Sequence, residues 1–190
     1  VSILIINSNI SPYFLDLYNL IDSTFLFSEK AIIALTMTFV IIARQIDLSV
    51  ASIIAVSSCV LGYTTSLGYD TWLVISLTLL SGALCGAFNG AIITKFAIPS
   101  IIVTIGTMSL FRGLAYSFLE DSYYNKFPKL VSNLGSGYLF GYIPYAFLTF
   151  LLLSLVFAFI LHKTSVGKKM YSIGNNPDAA QYTGIAVDKY

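Results

Sequence analysis

The sequence predicts an all-α integral membrane protein, a bundle of several transmembrane helices. Three observations carry this. The 190 residues are 57% hydrophobic and only 10% charged, whereas a soluble domain carries about 25% charged residues. Residues 48–69, 71–94, 96–111 and 130–162 contain no Asp, Glu, Lys or Arg. Three of these runs, of 22, 24 and 33 residues, are each long enough to cross a hydrocarbon core of about 30 Å as helix.

The elements follow in order. Residues 1–6 close a truncated helix. Residues 7–28 mix Ser11-Pro12, Asp16, Asn19 and Asp22 with aromatics, which suits an interfacial segment near headgroups. Residues 29–45 form a span from Glu29-Lys30 to Arg44; its 17 residues are the lower limit for crossing. Residues 48–66 form the next span, and Gly68-Tyr69-Asp70 a tight turn. Residues 72–94 follow and end at Lys95. Ile98-Pro99 opens a helix running to about Leu119, with proline in its tolerated first turn. Residues 120–137 read as a polar loop with Glu120, Asp121, Lys126, Lys129 and a Gly135-Ser136-Gly137 hinge. Residues 138–161 span again, and a basic tail begins. This makes about five full spans plus the end of an earlier one. The chain starts at Val1 and stops in a polar stretch at Tyr190, so we expect a fragment of a longer protein.

Lys163, Lys168 and Lys169, with Lys189 further on, follow the last span, while the two Lys of the 120–137 loop are balanced by acids. Cytoplasmic flanks collect Lys and Arg. The segment 162–190 is therefore expected inside, the 120–137 loop outside, Lys95 inside, the Asp70 turn outside and Arg44 inside.

Several residues stand out from the apolar background. Gly82, Gly86 and Gly90 recur every four residues on one helix face and would let a neighbouring helix approach. Asn89, near one end of a span, reads as a helix–helix hydrogen bond or as a group lining a path. Asp47 precedes Ser49 and Ser52 at a helix start; it reads as an N-cap, or with Ser49 as a fixed turn or gate of a conduit. Arg112 sits about seven residues inside the end of its helix, where a charge is costly unless it snorkels, pairs or meets a substrate. Cys59 and Cys85 fall inside apolar runs and read as small buried hydrophobes. No phosphate-cradling Gly-rich loop ending in Lys-Ser/Thr and no nucleophile–base or metal-ligand constellation is present in the sequence. No cofactor, metal or nucleic-acid partner is expected.

The run Ile46-Asp47-Leu48-Ser49-Val50-Ala51-Ser52 resembles a signature of the sugar-type (ribose, xylose and rhamnose) permeases of ABC importers. Phe88-Asn89-Gly90 through Pro99 to Met108, then Arg112-Gly113-Leu114-Ala115-Tyr116, continues the likeness, as does Ile173-Gly174-Asn175-Asn176-Pro177-Asp178-Ala179-Ala180 with Gly184-Ile185. The sequence departs from the pattern at Ala43-Arg44-Gln45, where Gly-Gly usually precedes the Ile, and at Ala51, which replaces a common glycine. The resemblance implies a partial permease domain lacking its N-terminal start and C-terminal half. It implies an ATP-driven sugar importer subunit without its own ATPase site, in the plasma or inner membrane. Its partners would be cytosolic ATPase subunits, a second permease copy or sister, and an extracytoplasmic sugar-binding protein. Asn176, Asp178, Ala179, Ala180 and Gly184 would form the helix that docks on the ATPase. The competing expectations are an ATP-independent transporter or channel, which would favour charged or broken helices at mid-membrane, and a membrane enzyme.

Overall fold

The computed structural model describes residues 2–119 and 123–187. Glu120, Asp121 and Lys189 lie outside the described residues. The chain is helical almost throughout: α1 (Ser2–Ile10), α2 (Leu17–Ile42), α3 (Val50–Ser66), α4 (Thr71–Phe96), α5 (Ser100–Leu119), α6 (Lys129–Ser136), α7 (Tyr145–Lys163), α8 (Ser165–Asn175) and α9 (Pro177–Tyr182). A hairpin of β1 (Tyr138–Leu139) and β2 (Ile143–Pro144) lies between α6 and α7. Four helices are long and apolar enough to cross a membrane: residues 19–42 of α2, then α4, α5 and α7. The apolar helix α3 has 17 residues, at the lower limit for a span.

The structure corrects three expectations. The mixed segment 7–28 is not a separate interfacial stretch, because α2 begins at Leu17 and runs unbroken for 26 residues. Its polar side chains bond their own backbone: Ser23 Oγ donates to the Asn19 carbonyl at 2.7 Å and Thr24 Oγ1 to the Ile21 carbonyl at 2.6 Å. A hydroxyl satisfied this way does not force a helix to end. The 120–137 loop contains the helix α6. The last span starts at Tyr145 rather than at residue 138. Phe140 (φ 54) and Gly141 (φ 78) form a tight turn closed by the Tyr142 N–H on the Leu139 carbonyl, the geometry of a type I′ hairpin.

The chain divides into two compact units, residues 1–38 with 131–168 and residues 39–130 with 169–190. In the first, the hairpin is held by Tyr138, whose ring stacks on Phe25 at 6.2 Å and whose hydroxyl donates to Asp22 at 3.4 Å. In the second, α3 packs against α4 and α5. Its core is Val56, Cys59, Phe111 and Ala115, with Ile53, Ala55, Cys85 and Leu119 packed around it. Both cysteines are free. Lipid tails are as apolar as these side chains, so burial from lipid gains little; close packing and hydrogen bonds hold the helices.

Three helices end the same way. After α3, Gly68 N–H bonds the Thr65 carbonyl and Tyr69 N–H the Thr64 carbonyl; after α9, Gly184 and Ile185 repeat this on Gln181 and Ala180. After α2, Arg44 N–H bonds Ile41 and Gln45 N–H bonds Val40. This is the Schellman closure, which wants a left-handed residue and so usually glycine. Gly68 (φ 76) and Gly184 (φ 85) supply it, but at α2 the residue is Arg44 (φ 58). That explains why a Gly-Gly pattern is natural just here. Left-handed backbone costs a non-glycine residue about 1–2 kcal/mol, and glycine forfeits roughly 0.5–1 kcal/mol in chain entropy. Arg44→Gly should therefore raise stability by up to about 1 kcal/mol, read as a higher thermal midpoint of the detergent-purified protein. A lower midpoint would refute this account of the turn.

Candidate functional site

The second unit holds three features in which polar groups converge. The first is the break between α2 and α3. A helix that stops in or near hydrocarbon must have its backbone groups answered by protein. The Ile46 N–H donates to Ser100 Oγ at 3.1 Å, and Thr104 Oγ1 donates to the Ile46 carbonyl at 3.3 Å. Residues of α5 thus satisfy both backbone groups of Ile46. Asp47 Oδ1 accepts from the Ser49 N–H at 2.8 Å and from Ser49 Oγ at 2.6 Å. This is an Asx turn, so Asp47 is not the N-cap of α3. The cap position is Ser49, which makes no side-chain capping bond. The N-cap carboxylate in this unit is Asp70, which accepts from the Trp72 N–H at 2.9 Å and starts α4.

Asn89 completes the knot. It is 4% exposed, and its Nδ2 donates to Ser49 Oγ at 2.8 Å. The Ser49 hydroxyl already gives its proton to Asp47, so towards Asn89 it can only accept. That fixes which way the amide points and leaves Asn89 Oδ1 buried without a donor among the described residues. Asn89 is therefore a helix–helix bond between α4 and the α2–α3 turn. Ser49 is fully buried and Ser52 nearly so, its hydroxyl donating to the Ser49 carbonyl at 2.6 Å.

Arg112 belongs to a second feature, an open-sided cavity of about 390 Å³ between α3, α5 and the chain after α5. Ser58, Cys59, Arg112, Tyr116, Tyr124 and Phe127 line it. Ala51 lines it too, so its methyl group occupies space that the glycine common at this position would leave open. Tyr116 stood in the sequence only as part of the Arg112–Tyr116 likeness, and neither Tyr124 nor Phe127 was singled out. Only their adjacency to Arg112 in the fold gives them interest.

The glycine row divides. A Cβ at Gly82 would come within 3.2 Å of Ser57 Oγ on α3, whereas one at Gly86 or Gly90 would meet nothing within 4 Å. Of these three glycines, only Gly82 brings helices together among the described residues.

The third feature is the tail. Asn176 caps α9 by accepting from the Ala179 N–H at 3.0 Å, Pro177 occupies its first turn and Asp178 follows. Ala180 is 4% exposed, while Ala179 is exposed and Tyr182 is 92% exposed. The two alanines therefore lie on different faces, and of the two only Ala179 is available to a partner. Met170 and Ile173 of α8 are buried. A Cβ at Gly174 would run into the Ile42 carbonyl oxygen. The tail thus rests, backbone on backbone, against the end of α2.

The knot generates an expectation. Ser49→Ala leaves Asn89 Nδ2 buried and unpaired, a loss of about 1–3 kcal/mol. Asn89→Leu removes only a donor to a hydroxyl that keeps its bond to Asp47, and should cost less. The double variant should deviate from additivity by about 0.5–3 kcal/mol in denaturant titrations of the purified protein. Simple additivity would mean that the two side chains do not act together.

The profile of the family described as branched-chain amino acid transport system / permease component matches residues 19–190. Curated relatives include the ribose import permease protein RbsC of Haemophilus influenzae, 34% identical over 96% of this chain and 57% of its own length. The autoinducer 2 import system permease protein LsrD of Klebsiella pneumoniae is 34% identical over 94% of the chain and 55% of its own length. The corresponding protein LsrC of Photorhabdus laumondii is 32% identical over 90% and 52% respectively. The chain spans about half the length of the curated relatives it matches. No solved structure matches.

Proposed function

We propose a function from one premise: this chain belongs to the branched-chain amino acid transport system / permease component family. It is part of a membrane-spanning permease subunit of an ATP-driven ABC importer, and its cargo is a monosaccharide or a similarly small hydroxylated solute. The cargo is read from the names of the relatives, a ribose import permease and autoinducer 2 import permeases. The subunit lies in the inner or plasma membrane. It builds the path with a second permease copy or sister, receives solute from an extracytoplasmic binding protein, and leaves ATP hydrolysis to a separate cytosolic subunit.

The observation that carries this reading is the short helix α9. It is capped at its start by Asn176 and closed at its end by Gly184, and it follows directly on α8, whose Gly174 meets the Ile42 carbonyl at the end of α2. A six-residue helix is too short to be stable alone; here caps and packing hold it as a rigid knob. All of its residues but Ala180 are exposed; among them Ala179 is a small residue permitting close approach and Tyr182 an aromatic of the kind that anchors interfaces. We read it as the point where the ATPase subunit grips.

The topology supports the same arrangement. With α3 counted as a fifth span, Arg44, Lys95 and the Lys163–Lys169 tail fall on one side, as cytoplasmic basic residues should. If α3 did not cross, Lys95 would change sides. Asp47, Ser49 and Asn89 then lie at the cytoplasmic mouth, where they brace the α2–α3 turn, and Arg112 faces the path in the outer half.

Ala179→Arg should abolish co-purification of the full-length permease with its cytosolic ATPase while leaving folded yield unchanged. Ala180→Arg should reduce folded yield itself, because Ala180 is buried. Tyr182→Ala should weaken association by roughly 2 kcal/mol or more, the threshold of an interface hot spot. Full ATPase binding and sugar uptake by Ala179→Arg would end the docking reading.

A further inference from the structure

The cavity beside Arg112 has an outer boundary of its own. Residues 123–128 have no regular structure and lie along α3 and α5. Tyr124 is seated where α3 has Gly62: a Cβ there would come within 2.5 Å of the Tyr124 ring carbons. The notch therefore exists only because residue 62 lacks a side chain. Tyr124 and Phe127 close one end of the space, Tyr116 and Arg112 line its α5 side, and Ser58 and Cys59 line its α3 side.

Two physical arguments say that this space meets a polar ligand rather than lipid. At about 1.5 Å per residue, Arg112 lies roughly 10 Å below the end of α5. An arginine facing hydrocarbon at depth is strongly disfavoured. Among the described residues nothing pairs with its guanidinium, and no carboxylate lines the cavity. The lining also combines flat aromatic faces with one planar donor fork. Such a fork can give two parallel hydrogen bonds to adjacent oxygens, and aromatic rings cover the C–H face of a small ring.

We propose that this cavity is a ligand chamber for a small neutral polyol ring, anchored by Arg112 and capped on its outer side by Tyr124 in the Gly62 notch. The proposal rests on the permease reading for the ligand's class, and adds where in the chain the solute is held and which residue must swing aside to admit it. The cap's movement is a rotation of one side chain and its short segment out of a notch.

Cys59, on the chamber wall, reports the cap without any transport assay. The full-length protein, with Cys85→Ser and any further cysteines replaced, is reconstituted in vesicles and labelled from the outer side with small membrane-impermeant thiosulfonates. Where an open state is populated at about 10% or less, removing the cap should accelerate Cys59 labelling by roughly tenfold or more. Tyr124→Ala and Gly62→Ala should both do so, the second by expelling the ring with the tyrosine intact, and Tyr124→Phe should not. The sulfonate reagent should outpace its trimethylammonium counterpart severalfold, and Arg112→Gln should remove that preference. Excess D-ribose should slow labelling, and D-ribonate should slow it no more than ribose does.

Unchanged labelling in both Tyr124→Ala and Gly62→Ala overturns the cap. A charge preference indifferent to Arg112→Gln overturns the chamber, and protection by ribonate alone overturns the neutral ligand. None of these readouts involves the ATPase. If Ala179→Arg still binds its ATPase while Cys59 behaves as expected, the coupling reading fails and the chamber stands; the reverse pattern overturns the chamber alone.

Discussion

Hydrocarbon offers a polypeptide no hydrogen-bond partners, and the rest of this structure follows from how the chain meets that condition where its helices stop. Within a helix every interior amide is answered by its own turn. At the junction of α2 and α3 that supply fails for several residues, and side chains from elsewhere replace it. Ser100 and Thr104 take both backbone groups of Ile46, and Asp47 takes the Ser49 amide. Because two of these groups come from α5 and a further bond comes from Asn89 on α4, satisfying the break also ties three helices at one level. Solvation of a turn and assembly of the unit are thus one set of bonds.

The same unit is built differently at its other levels. Midway, α3 is held mainly by packing, with Phe111 and Ala115 against Val56 and Cys59 and Phe88 edge-on to Phe111 at 6.2 Å, helped by Ser81 Oγ donating to Ser57 Oγ at 3.3 Å and the Cys59 thiol to the Ala115 carbonyl at 3.7 Å. Beside that core, on the adjoining face of α5, packing gives way to space, and Arg112 stands near aromatic rings. The bonded end is fixed, the packed face sets the helix spacing, and the open face has side chains able to move without breaking a backbone bond.

Much of this was legible in the sequence, for identifiable reasons. The uncharged run 71–94 located α4 to within a few residues, because hydrophobic length is a one-dimensional property, while the start of α5 was marked by Ile98-Pro99. Pro177 and Gly184 marked α9 because both act through their own backbone angles. Asp47 read either as an N-cap or, with Ser49, as a fixed turn; the structure shows the turn and puts the cap position at Ser49, and the two were inseparable in sequence because an Asx turn and an N-cap use the same residue types before a helix. The hairpin at Phe140-Gly141 was hidden inside a long apolar run, where turn chemistry carried by one glycine is drowned by hydrophobicity. The different facings of Ala179 and Ala180 could not be read, because which side of so short a helix is covered depends on the rest of the chain. Tyr124 gave no signal at all. Its importance comes from Gly62, sixty-two positions earlier by their numbers in the chain, and only the fold brings the two together.

The meeting of Gly174 with the Ile42 carbonyl has a mechanical consequence. Side chains in contact have torsions that absorb small movements, as springs do in a linkage. Two main chains touching directly have almost no such compliance. Any displacement of α8 at Gly174 would arrive at the end of α2 without backlash. The joint would work equally well in reverse, so a shift at the end of α2 would be felt in α8.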